Sequence, residues 1–247
     1  MGRFTLLAVF AHPDDECFRS GGTLALLAQS GVRVQVLTAT RGEAGSCGDP
    51  PVCRPAELPS VREGELRCAC SALGIEPPIQ LDYHDGALAA VDEQEGASRL
   101  LAVIRACQPQ VLLTWPADGL SGHPDHMAVS RWVTLAFEQA AAGQPETSMA
   151  LYHLAVPRSV ADGLGMAHLS ALPDEEVDLA VDIAPVWHQK LAAIRCHRTQ
   201  AQSSPILSAP EPKQRLFLAR EHFRLATARA GYDFFRPALR EWSANQP

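Results

Sequence analysis

Phe4-Thr5-Leu6-Leu7-Ala8-Val9-Phe10-Ala11-His12-Pro13-Asp14-Asp15-Glu16 opens with an apolar, strand-like run and ends in a cluster of ionisable groups just ahead of a helical pattern. One imidazole and three carboxylates this close together are costly to bury unpaired, and a divalent cation relieves that cost. Pro13 fits the first position of a helix, where its missing N–H is no loss, and the acidic residues after it suit the positive end of the helix dipole. His12 and Asp15, three residues apart, then reach one ion from a single turn. Taken alone, the stretch also reads as an acidic helix start in a solvated loop.

A second junction of the same kind removes most of that ambiguity. Gly122-His123-Pro124-Asp125-His126 follows the apolar run Val111-Leu112-Leu113-Thr114-Trp115 and again precedes a helical pattern. Ligand type and spacing in both motifs point to a shared metal centre.

Between and beyond these junctions, strand-like and helical segments alternate. Strands are expected at residues 33–39, 79–83, 149–156 and 177–183, and helices run from Val61 to Gly74, from Ala97 to Cys107 and from the second motif to Gly143. Two further helices are expected, Trp187 to Gln200 and Gln214 to Ala226, the latter burying Phe217, Leu218 and Phe223. Gly21-Gly22 inside the first helix implies close backbone packing near the metal or a short break. The alternation implies right-handed βαβ units, hence an α/β, Rossmann-like fold with a mostly parallel sheet and helices on both faces. A single domain over residues 1–247, with its core in residues 4–225, is expected because no linker or low-complexity tract interrupts the chain. The loop opened by Thr40-Arg41-Gly42-Glu43-Ala44-Gly45 follows a strand end, where open α/β sheets place ligands.

A formal charge of −7 and a pI near 5.7 argue against nucleic acid or an anionic membrane as the main partner. The apolar start lacks a basic leader and runs directly into the acidic motif, so it does not read as a signal peptide. The seven cysteines show no C-x-x-C spacing and read as reduced thiols of a cytoplasmic protein, Cys17, Cys68 and Cys70 as small buried hydrophobes. Cys47 and Cys53, bracketing a turn-rich loop, are the pair placed to form a local disulfide or capture a metal. A homo-oligomeric state is left open.

With Ala-His-Pro-Asp-Asp-Glu after the first strand and Gly-His-Pro-Asp-His after a later one, the chain resembles the PIG-L or LmbE-like family of zinc-dependent N-deacetylases. Thr40-x-Gly42-Glu43-x-Gly45, Arg62-x-x-Glu65, Asp85-Gly86, and Lys190 with His197 and Gln200 fall in the family's order. The resemblance implies zinc ligands His12, Asp15 and His126, a set of three N/O donors that leaves a position open for water. It implies Asp14 as the general base acting on that water, and His123 as the group that stabilises the oxyanion and protonates the departing amine. Asp125 would orient a histidine from behind, and Arg62 and Asp85 would bond sugar hydroxyls. A helix-surface Arg and a turn Asp are the plain readings of the last two. Some members carry a tyrosine two residues before the His-Pro-Asp-His run. Here that position is Ser121, too short to close over a substrate, though its hydroxyl is a candidate contact for a sugar hydroxyl alongside Arg62 and Asp85.

The expected activity is removal of an acetyl group from a small N-acetylglucosamine-type sugar derivative. The same centre acting on a thiol conjugate or another acetylated amine is the alternative, and a structural or sensory metal module is the non-enzymatic one. Fe2+ or Mn2+ in place of Zn2+ is compatible with the donor set.

Overall fold

The computed structural model describes residues 4–143, 149–202 and 204–228. β1 (Thr5–Phe10) is followed by α1 (Asp15–Gln29), β2 (Arg33–Thr40), α2 (Leu58–Leu73), β3 (Ile79–Tyr83) and α3 (Glu93–Cys107). The second half carries β4 (Val111–Thr114), α4 (Pro124–Gly143), β5 (Ala150–Ala155), α5 (Arg158–Leu164), β6 (Leu179–Asp182) and α6 (Trp187–Cys196). The short helices α7 (Arg198–Ala201) and α8 (Pro205–Ser208) lead to α9 (Glu211–Leu218) and β7 (Arg220–Ala228).

The strands form one sheet in the order β3-β2-β1-β4-β5-β7-β6. Neighbours from β3 to β5 are parallel, whereas β7 lies antiparallel between β5 and β6. Because successive side chains of a strand face opposite ways, β1 feeds two cores. Leu6, Ala8 and Phe10 pack with α1 and α2 residues such as Leu24, Leu27 and Leu66, while Leu7 and Val9 pack with Leu100, Val129 and Trp132 of α3 and α4. Both faces of the sheet are therefore covered, as a parallel sheet requires. The connections after β1 and β4 leave in opposite directions from adjacent strands, so a crevice opens between those two strand ends. Both His-Pro-Asp motifs sit at that switch point.

Several expectations are corrected. The helix expected over Gln214 to Ala226 ends at Leu218, and residues from Arg220 onward form β7. Glu, Arg, Leu and Ala in this stretch favour a helix locally, but the gap between β5 and β6 is filled by pairing, and tertiary context outweighs so weak a propensity. Phe217, Leu218 and Phe223 are buried as expected. The helix expected from Trp187 to Gln200 breaks at His197, whose ψ of 58° is not helical. Pro13 lies in the turn before α1, and Asp14 rather than Pro13 borders the helix. The helix around Gly21-Gly22 is continuous, and Gly22 is required by Ile183, whose Cβ would lie 2.5 Å from an added Cβ.

The cysteines are not all reduced. Cys68 of α2 and Cys196 of α6 form a disulfide across 128 residues, because these helices pack together. Sequence spacing carries no trace of that contact. Cys68 is exposed rather than a buried hydrophobe, Cys17 and Cys70 are buried, and Cys47 and Cys53 remain free thiols. No helix among the described residues is long and apolar enough to cross a membrane.

Candidate metal centre

At the end of β1 the chain turns sharply, which brings the Asp15 carboxylate back under the strand. Asp15 Oδ2 accepts the N–H groups of Ala11 at 3.1 Å and His12 at 2.9 Å. His12 Nδ1 lies 3.6 Å from the same oxygen, and His126 Nε2 lies 3.5 Å from Asp15 Oδ1. A tetrahedral ion with bonds of about 2.1 Å holds neighbouring donor atoms about 3.4 Å apart, so these separations suit such an ion. Donor atoms of His12, Asp15 and His126 all lie within 4.8 Å of one another.

The outer nitrogens of both histidines are engaged. His12 Nε2 is 3.2 Å from Asp125 Oδ2 and 3.0 Å from Asp85 Oδ1, and His126 Nδ1 is 3.2 Å from the Gly119 carbonyl. Partners of this kind fix ring orientation in metal-binding histidines. Asp125 is fully buried and also accepts the N–H groups of Gly86 at 2.7 Å and Leu88 at 3.1 Å. It thereby ties the loop after β3 to the start of α4. Trp115 stacks on His126 at 3.9 Å between centroids, fixing the plane of that ring.

Asp14 stands beside this triangle. Its backbone is left-handed, with φ 98° and ψ −25°, a region where a residue other than glycine is strained, and such strain gathers at functional positions. Arg62 approaches Asp14 Oδ2 at 3.3 Å through Nη2, donates to the Gly42 carbonyl at 2.8 Å through Nη1 and bonds the Pro13 carbonyl. It is 3% exposed, so it is not the helix-surface Arg of the plain reading. Gly42 has φ 70°, and a Cβ there would meet Arg62 Nη1 at 2.1 Å, so only glycine admits the guanidinium. Asp85 spends one oxygen on His12 and the other on the Ala44 N–H at 2.9 Å. Ser121 is exposed on the loop ahead of α4.

His123 is exposed, and its Nδ1 accepts the Asp125 N–H at 3.2 Å. A nitrogen that accepts carries no proton, so the neutral ring bears its N–H at Nε2. Burial, with His126 and His12 alongside, lowers its pKa and favours that neutral form. Burial raises Asp14 to about 6 against the pull of Arg62. For Asp15 burial acts in the same sense, but His126 and His12 outweigh it and hold the carboxyl well below its ordinary range. Burial likewise opposes charge on His12, yet Asp125, Asp15 and Asp85 raise it to about 12 when no cation is present.

The sequence assigns no site role to Trp115, which closes a strand, or to His197, which only falls in the family's order, and it places Glu16 in the first motif without a role of its own. The local signal for Glu16 was its place in the motif; that for Trp115 was a large aromatic closing a strand beside a ligand loop.

A mostly parallel α/β sheet with an N/O cluster suited to a divalent cation at its switch point defines the class of this protein. A profile of the PIG-L family, GlcNAc-PI de-N-acetylase, matches residues 7–137, and the chain belongs to that family. It is 35% identical over 241 residues to 1D-myo-inositol 2-acetamido-2-deoxy-alpha-D-glucopyranoside deacetylase 1 of Saccharopolyspora erythraea, covering 80% of this chain and 78% of the relative. Its fold matches N,N'-diacetylchitobiose deacetylase of Pyrococcus horikoshii with a TM-score of 0.63 at 23% identity, over 90% of this chain and 83% of that one. It also matches 4-carboxy-2-hydroxymuconate hydratase of Pseudomonas putida with a TM-score of 0.66 at 22% identity, over 93% and 99% of the two chains. A hydratase and a deacetylase thus share this fold, and the fold alone does not choose the chemistry.

Proposed function

We propose that this protein is a divalent-metal-dependent N-deacetylase that releases acetate from the acetamido group of an N-acetylglucosamine-type sugar derivative. The observation that carries the reading is the contrast at Asp14 and Asp15. One carboxylate faces two imidazoles at ion-binding separations, while its neighbour is held beside them by Arg62 and raised to about 6. The relative from Saccharopolyspora erythraea is named for deacetylation of a glucosaminide and supports the substrate class.

His12, Asp15 and His126 would hold the ion, zinc by donor set with Fe2+ or Mn2+ as substitutes, and the bound ion would supply Lewis acidity that makes a water molecule easier to deprotonate. Asp14, held beside these residues by Arg62, would accept the proton of the attacking water. Because Arg62 occupies the Oδ2 side, Oδ1 is the accepting atom. His123 donates its Nε2 hydrogen to the acyl oxygen as charge develops there. As the C–N bond breaks, Asp14 returns its proton to the departing nitrogen, leaving a free amine and acetic acid, which ionises to acetate in water. Asp125 and Asp85 keep the His12 ring aimed, and Arg62 positions Asp14, a role that fits its burial better than contact with sugar hydroxyls.

The test is a panel of N-acetylglucosaminides and N-acetyl amino acids given to zinc-loaded protein and read by free-amine formation, with Asp14→Asn as the blank. Clear preference for the sugars is expected. Rates on acetyl amino acids that equal or exceed those on the sugars would remove the sugar assignment.

A further inference from the structure

Behind the triangle lies a buried pair that the chemistry above does not use. Glu16 Oε1 meets His197 Nε2 at 2.7 Å, with side-chain exposures of 0% and 1%. The Cys17 thiol donates to the same oxygen at 2.8 Å. The other oxygen, Oε2, accepts the backbone N–H of Asp14 at 2.9 Å. His197 reaches inward from the break between α6 and α7, one residue after the disulfide that ties Cys196 to α2.

Asp14 makes a weak cap. An aspartate bordering a helix ordinarily turns its carboxylate back onto the N–H of the second or third helical residue, and Asp14 makes no such bond. Its left-handed backbone directs the carboxyl to Arg62 instead, and its N–H is received by Glu16. A pair serving only to fill the interior has no need to end on the one strained residue of the motif.

We propose that Glu16, held by His197, is a positioning residue that keeps Asp14 in its left-handed conformation and so keeps its carboxylate clear of the helix end. The inference rests on the reading of Asp14 as the base. Glu16→Gln can keep an oxygen on the Asp14 N–H while offering its amide to a neutral His197, whereas Glu16→Met fills the space and offers only a weakly accepting thioether. Glu16→Met should lower kcat by about 10- to 100-fold, the scale of a displacement near 1 Å, with KM and metal content within about twofold of wild type. Glu16→Gln should stay within roughly threefold of the wild-type kcat, because the acceptor survives.

A second readout does not depend on turnover or on metal. In metal-free protein the Asp14 amide should exchange with deuterium slowly, and faster in Glu16→Met than in Glu16→Gln. The proposal fails if wild-type Asp14 exchanges as an open amide, if the two variants lose kcat equally, or if the loss in Glu16→Met follows its metal content. A wild-type enzyme inert on every acetylated sugar would count against the proposed function instead, and amide exchange would still decide the role of Glu16. Since wild type alone can fail that exchange test, a variant that does not fold leaves the question answerable.

Discussion

Asp14 and Asp15 are adjacent and chemically identical, and the fold gives them opposite surroundings. Asp15 receives two backbone N–H groups and faces two imidazoles, which stabilise its charge. Asp14 is pushed up by burial with one guanidinium in opposition. Neighbouring carboxylates driven apart in this way take separate roles, one binding and one exchanging protons. Asp14→Asn should therefore retain metal while turnover falls by about two to four orders of magnitude, the range for losing a general base. Asp15→Ala should lose the metal together with the activity. Metal analysis of both purified variants beside initial rates checks the assignment, and equal metal loss in the two would reverse it.

β5 and β7 carry two histidines that the fold keeps neutral. Burial, with Arg19 and Arg220 adding to it, lowers His222 from 6.5 to about 4, and its Nδ1 lies 3.3 Å from an Arg19 nitrogen that can only donate. Burial with Arg224 lowers His153 to about 4. Where the folded pKa lies below the unfolded one, the unfolded chain binds more protons between the two values. These rings thus contribute stability that is complete above pH 6.5 and lost as the pH falls toward 4. His197 has the opposite sign: Glu16 outweighs burial and raises it, so its contribution is present at low pH and lost as the pH rises through its folded value. The thermal midpoint should fall from pH 6.5 to pH 4, with the His222 and His153 ring resonances still those of neutral imidazoles at pH 5. Titration of either ring near 6.5 would contradict this. Such long-range pairs also mark the limit of what the sequence reveals. The His12–Asp15 spacing was legible because both belong to one turn, and strands β1 to β6 because short apolar or alternating runs bounded by turn residues declare themselves. β7 was not, since its Arg, Glu and Ala favour a helix and its strand state comes from β5 and β6. The contacts of Asp85 and Asp125 with His12, like the Cys68–Cys196 bridge, arise only when distant segments pack.

Sheet order is what assembles the centre. β1 pairs with β4 through Leu6↔Val111, Leu7↔Leu112 and Ala8↔Leu113, and this adjacency alone sets the start of α1 against the start of α4. An ion held by His12 and Asp15 on one side and His126 on the other would tie the two halves of the sheet across their switch point. A ligand that binds only the folded chain raises its stability by mass action, about 2.7 kcal/mol at one hundred times its dissociation constant. In a chain of this size each kcal/mol moves the thermal midpoint by about 2 to 4 °C, so zinc at that ratio should raise it by roughly 5 to 10 °C and a chelator should reverse the gain. Asp14→Asn should keep the whole increment and Asp15→Ala should lose it, because only the second removes a donor shared by both histidines. Midpoints measured with and without zinc for wild type and both variants test this without any substrate. An increment in Asp15→Ala equal to that of wild type would place the ion elsewhere in the molecule and detach the metal from the two motifs.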